Sequence, residues 1–245
     1  MPRQARTHSE SGYMHLIAKG NGNQILFADR SDYLFYLSLL QKYAADTNIE
    51  ILAYCLMDNH VHLLIRDEGR NVSMFVQKLN GSYTGWFNAK YERSGHLFQD
   101  RFKSENVDDE VYLVRVFRYI LNNPQKAGLC AVSDYEWSSY HEYGKPDSFV
   151  KTGIFLELIG NTQEYIDYVT AQNDDECMEY EPIVKNDDWA MAVIRKTLGV
   201  ESGMALQKWD RNKRNAALKL LREKGLKIRQ IERLTGINRG EIQKS

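Results

Sequence analysis

Residues 49–65 hold two runs of strand-forming side chains, and this pattern constrains the fold more than any other feature of the chain. Ile49 to Met57 and His60 to Ile65 are rich in aliphatic and aromatic residues, and Asp58-Asn59 between them is a typical turn pair. Two strands joined by two such residues form an antiparallel hairpin. We therefore predict an antiparallel sheet built around this hairpin.

Strand and helix patterns on both sides extend the hairpin into an α+β domain. Apolar periodicity predicts strands at Gly12 to Lys19 and within Phe98 to Val107, and helices at about Ser31 to Ala45, Val72 to Tyr91 and Asp109 to Asn123. The resulting order, β-α-β-β-α-β-α, predicts a small antiparallel sheet covered by helices on one face. This domain is expected to close near Trp137-Ser138-Ser139-Tyr140.

The distribution of charge divides the chain further. Residues 1–130 carry 15 Lys+Arg and 14 Asp+Glu, residues 131–208 carry 6 and 15, and residues 209–245 carry 11 and 4. Segments with such different charge favour different partners. We expect a main domain over 1–143, an acidic, partly helical connecting segment over 144–208, and a small basic all-α unit over 209–245.

Several classes of protein are disfavoured. The three cysteines (Cys55, Cys130 and Cys177) lack metal-type spacing, which argues against a disulfide framework or a zinc ribbon and fits a reducing cytosol. The first ten residues lack the apolar core of a signal peptide, and no apolar run approaches the roughly 18 residues of a spanning helix. We expect a cytoplasmic protein without membrane contact.

His60-Val61-His62 is the pattern that points to chemistry. Successive side chains of a strand point to opposite faces, so both imidazoles should project from one face while Val61 enters the other. Two neutral imidazoles at this spacing can share one divalent ion. A pair of histidines on an exposed sheet face is the alternative interpretation.

The helix predicted at 109–123 adds a tyrosine and an asparagine. Helical periodicity centres the apolar face on Phe117 and places Tyr119 and Asn123 on the opposite side, one turn apart. We therefore expect Tyr119 to lie away from the core, available for chemistry. An ordinary amphipathic surface tyrosine is the alternative.

These four side chains form a chemically sensible set. Two histidines and the amide oxygen of Asn123 could hold Mg²⁺ or Mn²⁺, although imidazole also suits zinc. The ion would polarise a scissile phosphate. A phenolate of Tyr119 would attack phosphorus and form a covalent 5′-phosphotyrosine with release of a 3′-hydroxyl. The intermediate keeps a high-energy bond, so another strand could be joined without ATP.

Four motifs occur in order over about residues 10–143: YCLMDNHVHLL at 54–64, GHLFQDRFKS at 95–104, RYILNNPQKAG at 118–128 and WSSY at 137–140. Together they resemble the HUH single-tyrosine transposases, especially the REP-associated tyrosine transposases. The resemblance implies a ferredoxin-like core and single-stranded DNA as the substrate, often beside a hairpin. It implies Mg²⁺ or Mn²⁺ held by His60, His62 and Asn123, with Tyr119 as nucleophile. Some members are homodimers that share their active sites.

Basic residues are candidates for contacts with the DNA backbone, because neutralisation of phosphates supplies most nucleic-acid affinity. In the main domain these are Lys19, Arg101, Lys103, Arg115 and Arg118. A solvated surface charge is an equally good interpretation of any one of them.

The basic tail resembles a helix-turn-helix. Leu226 to Leu234 would form the first helix, and the following Thr-Gly-Ile-Asn stretch would form the turn. Arg239, Gln243 and Lys244 would then face duplex DNA. A basic helical hairpin with another purpose is the alternative.

The predicted function is a metal-dependent single-strand DNA transposase. A non-cleaving DNA-binding regulator descended from a transposase is one alternative. A metal-dependent phosphodiesterase that uses water, and therefore forms no covalent adduct, is another.

Overall fold

A computed structural model describes residues 9–99, 101–143, 145–178, 187–200 and 202–244. The chain divides into two compact units, Met1–Tyr180 and Glu181–Ser245. This division falls inside the expected connecting segment, rather than at residues 143 and 208. Phe155 and Tyr165 are buried in the core of the first unit, whereas Ile194 and Leu206 are buried in that of the second. Charge alone could not show which apolar side chains of the acidic segment join which core.

The first unit is built on a four-stranded antiparallel sheet, which confirms the predicted α+β class. Its strands are β1 (Tyr13–Lys19), β2 (Glu50–Met57), β3 (His60–Arg66) and β4 (Lys103–Asn106). They lie in the order β2-β3-β1-β4, and every neighbouring pair is antiparallel. The predicted hairpin is β2–β3, with Asp58-Asn59 as its turn.

Six helices accompany the sheet in the described part of the first unit. They are α1 (Arg30–Thr47), α2 (Val72–Lys90), α3 (Glu110–Leu121), α4 (Asn123–Lys126), α5 (Gly153–Ile159) and α6 (Thr162–Thr170). Short 3₁₀ turns occur at Asn21–Asn23, Val132–Asp134 and Ser139–Glu142. The succession β1-α1-β2-β3-α2-β4, with this strand order, is the ferredoxin-like arrangement.

Helices cover both faces of the sheet, so the expectation of helices on one face is wrong. Helices α1 and α2 pack on the face that presents Val61 and Leu63. Helix α3 packs on the other face, against Cys55 and Leu64. The strands are apolar in both directions: Leu63 and Leu64 are both buried although they point to opposite faces. An apolar residue on each face needs a covering layer on each face.

Residues after α4 close the domain along the edge of β2. The backbone N–H of Leu56 donates to Trp137 O at 2.9 Å, and that of Tyr54 donates to Ser139 Oγ at 2.9 Å. Farther along, Lys151 N donates to Ile51 O at 2.8 Å. These bonds use edge groups that would otherwise be open to pairing with another chain.

The second unit is all-helical. It contains α7 (Asp187–Leu198), a 3₁₀ turn (Gly203–Lys208), α8 (Arg211–Glu223), α9 (Ile228–Thr235) and α10 (Arg239–Lys244). Gly236, with φ of 67°, ends α9 in the left-handed conformation that glycine adopts easily. Ile231, Ile237 and Ile242 hold the last two helices to a common core. Across the described residues, no helix is both long and apolar enough to cross a membrane.

Candidate active site

The four residues expected to carry the chemistry, His60, His62, Tyr119 and Asn123, lie around one cavity of about 240 Å³ in the first unit. Strands β1, β2 and β3 supply one wall, and α3 with α4 supplies the other. The lining residues are Lys19, Met57, His60, His62, Tyr119, Asn123, Lys126 and Ala127. The structure therefore brings the predicted histidines, tyrosine and asparagine together.

His60 and His62 project from the same face of β3. In the register with β1, His60 lies opposite Lys19 and His62 lies opposite Ile17. The two imidazole centroids are 5.0 Å apart, and Val61 between them is buried in the core under α1 and α2. This is the arrangement that strand alternation predicts.

Hydrogen bonds orient both rings. His62 Nδ1 lies 3.0 Å from His15 Nε2, and His60 Nδ1 lies 2.7 Å from Asn59 Oδ1. With Nδ1 engaged in each ring, Nε2 is the nitrogen that would coordinate an ion. Ligating histidines in metalloproteins are held by such outer hydrogen bonds.

The electrostatics of the site favour neutral imidazoles. Burial lowers the pKa of His62 well below its usual value, and the neighbouring His15 and His60 lower it further. Burial also lowers the pKa of His15, against the opposing effect of Glu105. Metal binding requires the neutral ring, so a lowered pKa prepares His62 for it.

Tyr119 is buried, with 1% of its surface exposed, so the expectation that it lies away from the core is wrong. Its ring meets His62 edge-on at 5.9 Å and His15 at 6.1 Å between centroids. On the other side of α3, Phe117 stacks on Phe155 at 3.9 Å. Periodicity separated the two sides of the helix correctly. Both sides are covered, and the side carrying Tyr119 faces the sheet.

Asn123 follows Tyr119 by one turn, across the break between α3 and α4. Its Nδ2 donates to Tyr119 O at 3.0 Å and to Ile120 O at 3.3 Å. These bonds fix the amide and leave Oδ1 as the atom that could coordinate an ion.

Two residues near the cavity were given no role by sequence reasoning: Lys126 was overlooked, and His15 was expected only to lie on the sheet beside the site. Lys126 lies with Nζ 4.5 Å from the centroid of the Tyr119 ring and also donates to the backbone oxygen of Asp175. His15 is completely buried behind His62. Signals for both existed: Lys126 follows Tyr119 by two helical turns, and His15 precedes Lys19 by four strand positions, which places it on the same face.

The donor set fits a divalent ion held by few protein ligands. The described residues contain no group of three or more His, Cys, Asp or Glu that could hold a metal ion. His60, His62 and Asn123 are not a group of this kind, because their third donor is the amide oxygen of an asparagine. Two imidazoles and one amide oxygen suit Mn²⁺ or Mg²⁺, with water or substrate oxygens in the remaining positions.

The first unit is similar in sequence and in fold to known proteins. Residues 8–123 match the family described as transposase IS200 like. The matched segment is a little under half of the chain and lies within the first unit. Among solved structures, the protein is similar to a REP-associated tyrosine transposase bound to a REP hairpin, with 18% identity and a TM-score of 0.56 over 75% of this chain and 99% of that chain.

A second solved structure, a candidate transposase from Deinococcus radiodurans R1, matches at 20% identity with a TM-score of 0.36 over 49% of this chain and 96% of that chain. No curated protein matches the chain. The family confirms the resemblance seen in the sequence motifs. At 18% identity, the likeness to the REP-associated enzyme establishes a shared fold.

The basic residues expected to contact DNA lie in different parts of the first unit. Lys19 lines the cavity beside His60 and Tyr119, and burial together with the nearby Lys103 lowers its pKa. Lys103 pairs with Ile17 in the β1–β4 register, so its side chain lies on the same face of the sheet as that of Lys19. Arg115 is exposed on α3, and Arg101 lines another groove.

Arg118 does not reach the cavity. Its Nε and Nη2 donate to the Asp175 carboxylate at 2.6 and 3.0 Å, and its guanidinium lies 4.3 Å from the centroid of the Tyr168 ring. The guanidinium is therefore committed to the segment after α6 instead of a phosphate. In the second unit, Arg239, Gln243 and Lys244 are all exposed on α10.

Proposed function

We propose that the protein is a metal-dependent single-strand DNA transposase that acts through Tyr119 as nucleophile. The observation that carries the proposal is the meeting of the Tyr119 ring with His60, His62 and Asn123 around one cavity. His60 and His62 come from β3, whereas Tyr119 and Asn123 come from α3 and α4 about 60 residues later, so only the fold brings them together. The match of residues 8–123 to the IS200-like transposase family supports the same reaction class.

Each group has a distinct role in the proposed reaction. His60 and His62, through Nε2, and Asn123, through Oδ1, would hold Mg²⁺ or Mn²⁺. When bound, the ion would withdraw charge from the oxygens of the scissile phosphate. Lys19 adds positive charge to the same cavity. Lys126, whose Nζ lies over the Tyr119 ring, would stabilise the phenolate that attacks.

The covalent step exchanges one phosphodiester for another. The Oη atom of Tyr119 loses its proton to solvent and forms a bond to phosphorus. The bond from phosphorus to the 3′-oxygen breaks, and that oxygen takes up a proton. Reversal with a different 3′-hydroxyl joins a new strand, so no external energy source is needed.

Covalent attachment tests the proposal directly. The full-length protein with Mn²⁺ is incubated with a fluorescent pool of DNA hairpins that carry randomised single-stranded flanks. We expect a labelled protein band that survives denaturation, and its loss in Tyr119→Phe. Tyr43→Phe, on α1 across the sheet, is the matched control and should keep the band. Undiminished attachment in Tyr119→Phe would refute the assignment.

The same experiment separates the two rival functions. A water-using phosphodiesterase would shorten the DNA without any protein-linked band. A non-cleaving regulator would leave the DNA intact while still binding it.

We further propose that the second unit binds duplex DNA. Arg239, Gln243 and Lys244 project from α10, which follows α9 after the Gly236 turn, and residues 209–245 carry 11 Lys+Arg against 4 Asp+Glu. Replacing both Arg239 and Lys244 by Ala should weaken duplex binding and reduce its dependence on salt, because each lost phosphate contact lowers the salt slope by about one. An unchanged slope in fluorescence anisotropy would count against this role. A homodimer stays a prediction from the resemblance.

A further inference from the structure

A second and larger cavity, of about 820 Å³, lies between α2 and residues 96–99 and 101–102 of the first unit. We call it the α2 groove. It shares no described lining residue with the catalytic cavity. Helix α2 covers the face of the sheet opposite to α3, so the α2 groove opens on the other side of the sheet from Tyr119.

The lining of the α2 groove has the chemistry that recognises unpaired bases. Gln77, Asn80 and Gln99 contribute carboxamides, which carry both donors and acceptors and can match the edge of a base. Phe98 and Phe102 contribute rings on which bases can stack. Arg101 adds positive charge.

Gly81 leaves the backbone of α2 uncovered in the groove. It lies in the interior of α2 and lines the groove, and a Cβ added there would meet nothing within 4 Å. Gly85 is equally unconstrained and does not line the groove, so the glycine matters here only through its position. A flat ligand in the groove could lie directly on the helix backbone at Gly81, and a large side chain there would occupy that space.

Lining residues of the α2 groove and of the catalytic cavity are neighbours at the end of β1. Gln99 N donates to Lys19 O at 2.8 Å, and Asn21 N donates to Leu97 O at 2.9 Å. Lys19 lines the catalytic cavity, whereas Leu97 and Gln99 line the groove. The two cavities are therefore separated by only these adjoining backbone segments, a distance that a few nucleotides of one DNA strand would span.

We propose that the α2 groove holds unpaired bases of the DNA strand whose scissile phosphate lies in the catalytic cavity. The proposal rests on the function proposed above and adds where the single-stranded flank is read. Stacking and carboxamide contacts in the groove would select the bases near the cleavage point.

Binding without cleavage tests this proposal. All variants are made in full-length Tyr119→Phe and measured without metal by fluorescence anisotropy. One probe is a DNA hairpin with flanks of about ten random nucleotides, and the other is the same hairpin with blunt ends. Gly81→Leu should bind the flanked probe roughly tenfold more weakly, the effect of losing about one stacked base, and should bind the blunt probe unchanged. Gln77→Ala should act in the same direction.

Gly85→Leu is the matched control. Gly85 lies one turn farther along α2, is exposed, has nothing within 4 Å of an added Cβ, and does not line the groove. It should bind both probes like the parent protein. Thermal melting of the two leucine variants verifies that both fold. Equal affinity of Gly81→Leu and Gly85→Leu for the flanked probe would overturn the proposal.

Photocrosslinking supplies a second readout. With 5-bromodeoxyuridine in the flanks, we expect crosslinked peptides from residues 73–84 and 96–102, and crosslinks confined to other regions would contradict the proposal. If Gly81→Leu changes the sedimentation of the DNA-free protein and leaves DNA affinity intact, the groove is a contact between copies and the proposal fails. Flank-dependent binding does not require cleavage, so this result and the covalent-attachment result can fail separately.

Discussion

His15 offers a quantitative test of how the metal site is organised. It is fully buried, and its Nε2 lies 3.0 Å from Nδ1 of His62. On its other side, Nδ1 lies 3.8 Å from Glu105 Oε2. His15 therefore lies between a carboxylate and the proposed ligand His62, and it does not line the cavity that would hold the ion. We consider the replacement His15→Leu, which keeps the volume approximately and removes both ring nitrogens.

The expected loss follows from the buried hydrogen bond. Leaving a buried polar atom such as His62 Nδ1 without its partner costs about 1–3 kcal/mol. A tilted or rotated His62 ring relieves that cost but no longer presents Nε2 correctly. Removing the outer partner of a metal ligand typically weakens metal binding roughly 10–100-fold, which is about 1.4–2.8 kcal/mol and of the same size. We therefore expect His15→Leu to bind Mn²⁺ at least tenfold more weakly.

The assay is a titration of Mn²⁺ followed by the paramagnetic resonance of the free ion, with the full-length protein and no DNA. His15→Gln is the informative companion, because Gln can place its acceptor Oε1 near the position of the imidazole Nε2, accept the hydrogen bond from His62 Nδ1–H, and should recover most of the affinity. Melting curves without metal check that both variants fold. Native Mn²⁺ affinity in a folded His15→Leu variant would show that His15 does not orient His62 for metal binding. Equal losses in the Leu and Gln variants would show that His15 acts through packing and not through its hydrogen bond.

Three further predictions concern how residues 145–178 belong to the first unit. Phe155→Ala removes the ring stacked on Phe117 at 3.9 Å and should lower the free energy of unfolding by about 3–5 kcal/mol. Urea denaturation measures this loss, and a value below about 1 kcal/mol would contradict the packing. Arg118→Ala breaks the pair with Asp175 and should lower the melting temperature while leaving single-strand DNA affinity unchanged, and a selective loss of affinity would restore Arg118 as a phosphate contact. Burial raises the pKa of the Cys177 thiol to about 11, so only about a thousandth of it is thiolate at pH 8. Iodoacetamide, followed by mass spectrometry, should therefore label Cys177 very slowly until denaturant is added. Rapid labelling of the native protein would show that this segment is not packed.

Local patterns predicted much of the first unit. Alternation along 49–65 predicted the β2–β3 hairpin and placed His60 and His62 on one face, because strand periodicity depends only on backbone geometry. Helical periodicity likewise placed Tyr119 and Asn123 one turn apart. The charge distribution was less informative, since it grouped residues 144–208 although their apolar side chains divide between two cores.

Local sequence patterns were enough to show which side chains are neighbours along one strand or helix and what chemistry they carry. Three features came from the packing of distant elements: the Tyr119 side of α3 faces the sheet, helices cover both faces, and His15 and Lys126 flank the proposed ligand and nucleophile. Periodicity could not reveal them because it fixes directions relative to one axis only. Burial depends on which distant elements pack together, and an amphipathic helix whose polar side also meets protein gives no local sign of it.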